Sequence, residues 1–506
     1  MTSDIKHSSG GPLDAPAAYG SPPEAALTAP ARTVSAPPAG APERLSREVV
    51  VIISVLLVST FTVFLNETIM NVALPRLMTA LDVSESTVQW LSTGFMLTMA
   101  VVIPTTGFIL ERLRTRQAYF LAMGLFTLGT VIAAVAPGFG VLLLGRVVQA
   151  TGTAIMMPLL MTTILTLVPL SKRGMVMGNI TIAMSVAPAL GPTVSGLILE
   201  HFEWRFMFVF VLPVAIVALL VGAKYLVNVG EPGRQRLDML SVFLTIPAFG
   251  GVVYGLSQIG GGHGGQAGPS TGAVVALAVG VVSLGLFVWR QLALQRTDAP
   301  LLDLRAFNHR MFTVSVLLLV VAMVALFGTV ILLPLFLQKV LGAEPLVTGL
   351  VMLPGGLAMG LSGPFIGRMY DKIGPRPLTV TGSVLMVLCL WQFAMMNAST
   401  PIWYVTVIQT VLNFSLALLF TPAFTNGLNP LPPQLYSHGS AILGTLQQVA
   451  GAAGTALLVA LFAAGTALHG DLLDGTRIAF LTASGVAVLA VVLSAMMRRT
   501  EGAGHH

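Results

Sequence analysis

Fourteen apolar segments, each about 20 residues long, constrain what this chain can fold into, because about 20 apolar residues let an α-helix cross a bilayer. Only 9% of the residues are charged, against about a quarter in soluble domains, so most of the surface faces lipid. The sequence therefore predicts an all-α integral membrane protein with 14 transmembrane helices. The segments lie near 49–74, 87–109, 118–136, 140–168, 175–199, 205–226, 239–257, 273–289, 312–337, 346–366, 378–396, 402–424, 441–462 and 478–497.

The segments form two groups of six with an extra pair between them. The opening stretch is rich in Pro, Ala, Gly and Ser and has no apolar run before Val49, so it cannot bury a core. It also lacks the features of a secretory signal. We expect a disordered cytoplasmic tail at 1–46, an N-terminal six-helix bundle at 47–226, two extra transmembrane helices with linkers at 227–310, a C-terminal six-helix bundle at 311–499 and a tail at 500–506.

The distribution of Lys and Arg predicts the orientation. With both termini in the cytoplasm, 21 of the 26 basic residues fall on the cytoplasmic side, as the positive-inside rule requires. One miscounted helix would invert every later loop and destroy this asymmetry, so the helix count and the orientation support each other.

Several other classes of function are excluded by what the sequence lacks. The basic residues are scattered, so no domain could grip nucleic acid. Cys389 is the only cysteine, which excludes a disulfide scaffold, and the eight histidines show no metal-ligand spacing. No phosphate-binding Walker motif occurs either. We therefore expect no cofactor and no metal, and transport would draw on an ion gradient.

An internal repeat links the two halves. The acidic, basic, apolar order is kept 260 positions apart, in the loop after the second span and in the loop after the tenth. Parallel repeats of this kind are a transporter architecture with the substrate site near the midplane. The alternative is that glycine and charges simply make a good tight turn. The matching residues are Gly107, Glu111, Arg112, Leu113 and Arg116 in the first copy and Gly367, Asp371, Lys372, Ile373 and Arg376 in the second.

Four short patterns carry a family resemblance. Besides the loop residues Gly107, Glu111, Arg112 and Arg116, they are Arg146, Gln149 and Gly152 in the fourth span, Ala187, Pro188, Leu190, Gly191, Pro192 and Gly196 in the fifth, and Asn66, Thr68, Asn71, Val72, Ala73, Leu74 and Pro75 in the first. With these residues the chain resembles the major facilitator superfamily, specifically its fourteen-span drug:proton antiporter branch, from Val49 to Arg499.

The chain departs from the patterns of that family at four positions. Glu111 replaces the usual Asp, Arg114 stands where Gly is usual, and Ala150 stands where Gly is commoner. Asn66 stands where many members carry Asp, which leaves Glu67 as the neighbouring acid.

The resemblance implies a secondary active transporter and no enzyme. It implies a multi-pass protein of the bacterial inner (plasma) membrane that functions as a monomer and exchanges protons for amphipathic, hydrophobic or cationic compounds by alternating access. Multidrug efflux and antibiotic resistance would follow. It assigns conformational or gating roles to Gly107, Glu111, Arg112, Arg116, Pro188, Gly191, Pro192, Gly196, Gly367, Asp371 and Arg376.

Glu67 is the predicted proton carrier. It is the only one of the 20 acidic residues deep inside a predicted span. An ionised carboxylate there is costly unless it faces a cavity or a partner, and burial favours its neutral form. The alternative is a structural carboxyl group that stays protonated and bonded to a neighbour.

Arg146 is the second predicted proton-coupling residue. It is the only basic residue well inside a span, and its guanidinium cannot lose its proton, so it must face an internal polar cavity. The resemblance implies that it couples proton movement to substrate movement. The alternative is a structural arginine bonded to backbone carbonyl groups.

The substrate-binding prediction combines amides and an adaptable methionine side chain. Such a lining suits bulky amphipathic molecules. Two rivals remain open: the same fold exporting a lipid, siderophore or self-made metabolite, and a membrane enzyme or sensor without transport. The predicted substrate-binding residues are Asn66, Thr68, Asn71, Gln149, Met157, Gln409, Asn413 and Gln448.

Overall fold

The computed structural model describes residues 45–228, 238–260, 270–297 and 300–499. In this part of the chain 14 helices are long and apolar enough to cross a membrane, which confirms the predicted count and the all-α fold class. They are α1 Arg47–Leu81, α2 Trp90–Arg112, α3 Thr115–Ala134, α4 Phe139–Leu167, α5 Leu170–His201, α6 Arg205–Tyr225, α7 Met239–Gln258, α8 Thr271–Leu294, α9 Arg310–Lys339, α10 Pro345–Ile373, α11 Pro375–Ala394, α12 Ile402–Leu428, α13 Tyr436–His469 and α14 Leu472–Met496. The predicted tails, apart from residues 45 and 46, lie outside the described residues.

Several helices are longer than the apolar segments that predicted them. Helix α1 continues to Leu81 and ends at Asp82, whose φ of 52° is left-handed and whose N–H donates to the carbonyl oxygen of Met78. Helix α13 begins at Tyr436, five residues before the predicted start at 441. Hydropathy detects only the hydrocarbon-embedded part of a helix, so polar turns at its ends are missed.

The helices pack as two groups of six that meet along two seams. Within the first group α3 packs on α4 and α6, α2 packs on α4, and α1 packs on α5 and α6. Within the second group α11 packs on α12 and α14, and α9 packs on α12, α13 and α14. The main contacts between the groups join α5 to α10 and α2 to α13. These are the second and fifth helices of each group, as the repeat predicts.

The extra helices α7 and α8 pack on each other, and α7 also packs on α2 and α13. The pair therefore lies against one of the two seams. Because consecutive membrane helices cross in opposite directions, 14 crossings leave both described ends on one face. We call this the terminal face and the opposite one the far face.

A bidentate ion pair fastens α7 to α8. The carboxylate of Asp238 caps α7 by accepting the N–H of Ser241 at 3.1 Å, and it accepts Nε and Nη2 of Arg290 at 2.7 and 2.8 Å. The neighbouring Gln291 accepts the N–H of Leu301 at 2.8 Å, which ties the segment after α8 to the same place. The Arg290 guanidinium, with help from Ser241, lowers the pKa of Asp238 to about 2.

Asp238→Asn is expected to lower stability by about 1–2 kcal/mol, because it breaks a charge-assisted pair that is only partly exposed. A lowered pKa contributes stability that is complete above the ordinary carboxyl value of about 3.9 and is lost as the pH falls through about 2. The difference in melting temperature between the two proteins should therefore be constant from pH 5 to 8 and shrink below about pH 4. Thermal unfolding in detergent measures it. Glu203→Gln is the control, since that carboxylate is 77% exposed and lies 3.8 Å from Arg205. An equal decrease in melting temperature in both variants would contradict the prediction.

Candidate functional site

Glu67 points away from the lipid. On the same helix Val58 is 54% exposed on the outer surface. Nine residues separate the two, and at 3.6 residues per turn they are about half a turn apart. The side chain of Glu67 is half-buried, and its carboxylate makes no hydrogen bond or ion pair within the described part of the chain. The helix therefore presents to the protein interior a carboxyl group that is unpaired among the described residues.

Arg146 is 1% exposed and bonded to neutral groups. Its Nη1 donates to Oδ1 of Asn66 at 3.1 Å and to Oε1 of Gln149 at 3.0 Å, and its Nε donates to the carbonyl oxygen of Leu91 at 3.4 Å. Its guanidinium also lies over the ring of Phe95, 4.1 Å from the centroid. Amides, a carbonyl group and an aromatic face together hold this charge in place.

The hydrogen bond from Arg146 to Asn66 shows what changes when position 66 holds Asn in place of the Asp that many family members carry. An aspartate at position 66 would pair with Arg146 as an ion, whereas the amide accepts a hydrogen bond without adding charge. Glu67, the next residue, lies within electrostatic range of Arg146 but not within ion-pair distance. The one acid beside this arginine is thus free to change its protonation state without breaking the arginine's hydrogen bonds.

The fifth-helix pattern packs on α1 beside Glu67. A Cβ added at Gly191 would collide with the side chain of Thr68, and the hydroxyl of Thr68 donates to the carbonyl oxygen of Ala187 at 3.4 Å. Gly191 thus permits close contact between α5 and α1 at the level of the carboxyl group. Gly196 is exposed, with no atom within 4 Å of an added Cβ.

The other predicted binding residues are spread over both groups of helices. Gln409 and Asn413 are buried on α12, and Asn413 packs against Gly355 of α10. Met157 and Gln448 are half-buried on α4 and α13. Pro188 is half-buried as well, while the side chains of Asn71 and Pro192 lie outside the described part of the structure. Among the described contacts, none joins the α12 and α13 residues to Glu67.

The second repeat copy fastens α10 to α5 at the terminal face. Asp371 accepts the N–H of Gly174 on Oδ1 and the N–H of Met175 on Oδ2, each at 2.9 Å. Gly367, one turn earlier, lies so close to the carbonyl group of Gly174 that no Cβ fits there. This acid therefore bonds directly to the backbone of the opposite helix group.

The first repeat copy fastens α2 to α13 at the same face. Oε1 of Glu111 lies 3.0 Å from Nε2 of His438 and 3.5 Å from the hydroxyl of Ser437. Gly107, one turn earlier, packs against the His438 ring, which is fully buried. Each copy thus holds the first part of the fifth helix of the other group, so the repeat follows the pseudo-twofold arrangement of the fold.

Further bonds across the seams lie on the terminal side of the molecule. Thr181 bonds to Thr421 at 2.9 Å, and Arg173 donates to Oδ1 of Asn429 at 3.2 Å. A Cβ at Gly178 would collide with the backbone of Gly363. The two helix groups are therefore closed against each other at the terminal face.

The described contacts of Arg116 and Arg112 lie within their own group of helices. Arg116 donates from Nη2 to the carbonyl oxygen of Ala223 on α6, which belongs to its own group. Arg112 and Arg376 are exposed. Arg112 lies over the ring of Phe108 on its own helix, 5.9 Å from the centroid.

Sequence reasoning missed His438, Arg173 and three of the four glycines of the α5–α10 seam; the fourth, Gly367, was predicted as part of the repeat. His438 lies three residues before 441, the predicted start of the span, whereas the helix begins at Tyr436. The seam carried a usable signal, since Gly174 and Gly178 on α5 face Gly363 and Gly367 on α10, each pair at a spacing of four residues. Small residues at this spacing are typical of close helix contacts in membranes.

A family model described as Major Facilitator Superfamily matches residues 56–455 of the chain. The chain belongs to the major facilitator superfamily. It is therefore a multi-pass membrane transporter of a small molecule rather than an enzyme.

Several curated relatives are named as resistance proteins. The chain is 42% identical to a lincomycin resistance protein, LmrB, of Listeria innocua over 84% of this chain and 88% of the relative. It is 38% identical to LmrB of Bacillus subtilis over 88% and 95% of the two chains. A multidrug resistance protein B homolog of Mycobacterium tuberculosis is 27% identical over 82% and 77%.

Solved structures share the fold at low sequence identity. The human organic anion transporter MFSD10 matches with a TM-score of 0.63 and 16% identity, over 88% of this chain and 99% of that one. The proton:xylose symporter XylE matches with a TM-score of 0.62 and 15% identity, over 89% and 95%.

Proposed function

We propose that this chain exports amphipathic drugs across the bacterial plasma membrane in exchange for protons, as a monomer and without a cofactor. The observation that carries the proposal is the unpaired carboxyl group of Glu67, turned inward beside a buried arginine that neutral groups already hold. The relatives support the drug class, since their names record resistance to lincomycin and to several drugs. Lincomycin is therefore the first cargo to test.

The proposed orientation places the terminal face in the cytoplasm. The described arrangement then has its cytoplasmic side closed by Glu111 and Asp371, so it corresponds to the state from which cargo leaves and protons arrive. Protonation of Glu67 removes its charge and favours return of the empty carrier. Opening at the terminal face would separate α5 from α10 and α2 from α13 there, and the bonds of these two acids oppose this separation.

Arg146 would set the affinity for the proton. When Glu67 is ionised, the fixed positive charge nearby stabilises the carboxylate; when Glu67 is protonated, Arg146 keeps its hydrogen bonds to Asn66 and Gln149. The site can therefore alternate between two charge states without breaking the hydrogen bonds of Arg146. Each elementary charge moved across 100 mV supplies about 2.3 kcal/mol.

A transport assay separates this proposal from its rivals. Inverted vesicles energised with a proton gradient should accumulate lincomycin or cationic and neutral amphipathic drugs, and a protonophore should abolish the accumulation. A panel that also contains labelled phospholipids and iron chelators distinguishes drug export from export of a lipid or siderophore. Accumulation that persists without any proton gradient would contradict the coupling, and accumulation of none of these compounds would contradict the drug assignment.

Glu111→Gln is expected to shift the carrier toward the state that is open at the terminal face. The variant replaces a charged acceptor of the bond to His438 by a neutral one. A charge-assisted bond of this kind is worth about 1–3 kcal/mol, so weakening it changes the ratio of the two states by up to about 5–150-fold. Pulsed electron spin resonance between labels at Leu170→Cys and Lys372→Cys, in a Cys389→Ala background, measures the opening.

Arg376→Gln is the matched control, because this exposed residue occupies the last position of the second repeat copy. It should leave the label distances as in the parent protein. Identical distance distributions in Glu111→Gln and the parent protein would contradict a closing role for Glu111.

A further inference from the structure

An apolar groove of about 430 Å³ lies between α2 and α7, away from the Glu67 site. Leu97, Val101 and Val102 form one wall, and Ile246, Gly250 and Tyr254 form the other. Helix α7 belongs to the extra pair of helices, which has no role in the transport mechanism proposed above.

The groove lies where α7 is irregular. Residues Ile246–Gly250 form a single π-helical turn, an element that is often found at functional sites. Gly250 has no side chain to fill the space toward α2, and a Cβ added there would lie 3.4 Å from Cγ2 of Val101, an ordinary contact. A longer side chain at Gly250 would thus project into the groove without forcing the helices apart at its Cβ.

The groove opens onto the lipid-facing surface. Met239, Phe243 and Ile246 are all exposed and follow one another at spacings of four and three residues, which puts them on one stripe of α7. Ile246 is both the end of this stripe and part of the groove wall. Whatever fills the groove therefore comes from the bilayer.

The groove lies in the far-face leaflet and begins near the membrane–water interface. Trp90, the first residue of α2, stacks on Tyr254 with ring centroids 5.8 Å apart, and such aromatic residues are enriched at the membrane–water interface. Leu97 and Ile246 lie seven and eight residues away from this pair, or about 10–12 Å deeper at 1.5 Å per residue. The groove thus runs from the interface of the far-face leaflet into its hydrocarbon.

The chemistry of the lining selects an apolar chain. The hydroxyl of Thr98, the polar group in the middle of the lining, donates to the carbonyl oxygen of Gly94 at 2.7 Å. That donor is already used, so the buried part of the groove offers little to a polar ligand. The only apolar chains present at high concentration at this depth belong to membrane lipids.

We propose that this groove is a binding site for one acyl chain of a phospholipid in the far-face leaflet. Helix α2 belongs to the first group of helices, while α7 also packs on α13 of the second. A chain between α2 and α7 therefore lies at a seam that must rearrange during transport.

Photo-crosslinking tests the site directly. The full-length protein is reconstituted with a phospholipid that carries a diazirine in its acyl chain, and crosslinked peptides are identified by mass spectrometry. Peptides of α2 and α7 around Val101 and Gly250 should be labelled, and Gly250→Leu should lose this labelling. Gly285→Leu on α8 is the matched control, because it is an exposed membrane-helix glycine with no atom within 4 Å of an added Cβ, and it should be labelled like the parent protein.

Val101→Phe fills the groove from the opposite wall and gives a second variant should Gly250→Leu not fold. Labelling of α2 and α7 that is unchanged in the folded filled variants would overturn the proposal. Loss of the labelling on adding excess lincomycin would also overturn it, since the groove would then belong to the cargo route. Because no proton gradient is used, this result is independent of the transport assay.

Discussion

We expect Glu67→Gln to abolish proton-driven export while the protein still inserts and folds. The glutamine side chain is nearly isosteric with the protonated acid but can neither release nor accept the coupling proton. The bonds of Arg146 to Asn66 and Gln149 do not involve Glu67, so the surrounding structure should persist. Export driven by a pH gradient in inverted vesicles should fall to the level of empty vesicles.

Two further measurements make this prediction specific. Exchange of labelled for unlabelled drug without a gradient should survive in Glu67→Gln, because a permanently neutral residue still permits the loaded carrier to change state. Glu67→Asp should retain part of the proton-driven export. Wild-type export in Glu67→Gln would show that another group carries the proton.

We expect Gly178→Val to prevent closure of the α5–α10 seam at the terminal face. The new Cβ would meet the backbone of Gly363 rather than a movable side chain, so only separation of the two helices relieves the contact. Overpacking of this kind destabilises the terminally closed state by about 1–3 kcal/mol or more. The ratio of the terminally open to the terminally closed state should therefore rise about 5–150-fold or more. Export should fall by a similar factor, and the distance between labels at Leu170→Cys and Lys372→Cys should increase.

Gly196→Val is the matched control on the same helix. Its added Cβ has no neighbour within 4 Å, so export and label distances should remain those of the parent protein. If Gly178→Val folds and keeps the parental label distances, the seam is not the closing contact.

The fourteen crossings and the all-α class were predictable because the bilayer imposes one length and one polarity on every crossing. The repeat was predictable because Glu111 and Asp371 recur in the same local pattern. The residues that bond to these two acids could not be predicted from the sequence. Glu111 lies beside His438, 327 positions later in the chain, and Asp371 bonds to backbone N–H groups that any residue could supply.

The central site was predictable in its charges and not in its bonds. Glu67 and Arg146 stand out in the sequence because ionisable groups are expensive inside a membrane. That Arg146 bonds to Asn66 rather than to Glu67 depends on how α1 and α4 face each other. Equally, the contact of α7 with both α2 and α13 had no sequence signal, since apolar faces look the same whether they meet lipid or another helix.

Proton release on binding tests the central claim most directly. Purified protein in weakly buffered detergent solution is mixed with a cargo identified by the transport assay, and the pH change is compared with the amount of cargo bound. We predict that the wild-type protein releases protons near the pH at which Glu67 is half-protonated, and that Glu67→Gln binds cargo without releasing any. Equal proton release by both proteins, or cargo binding by the wild type with no release at any pH from 5 to 9, would contradict exchange of a proton for cargo at Glu67.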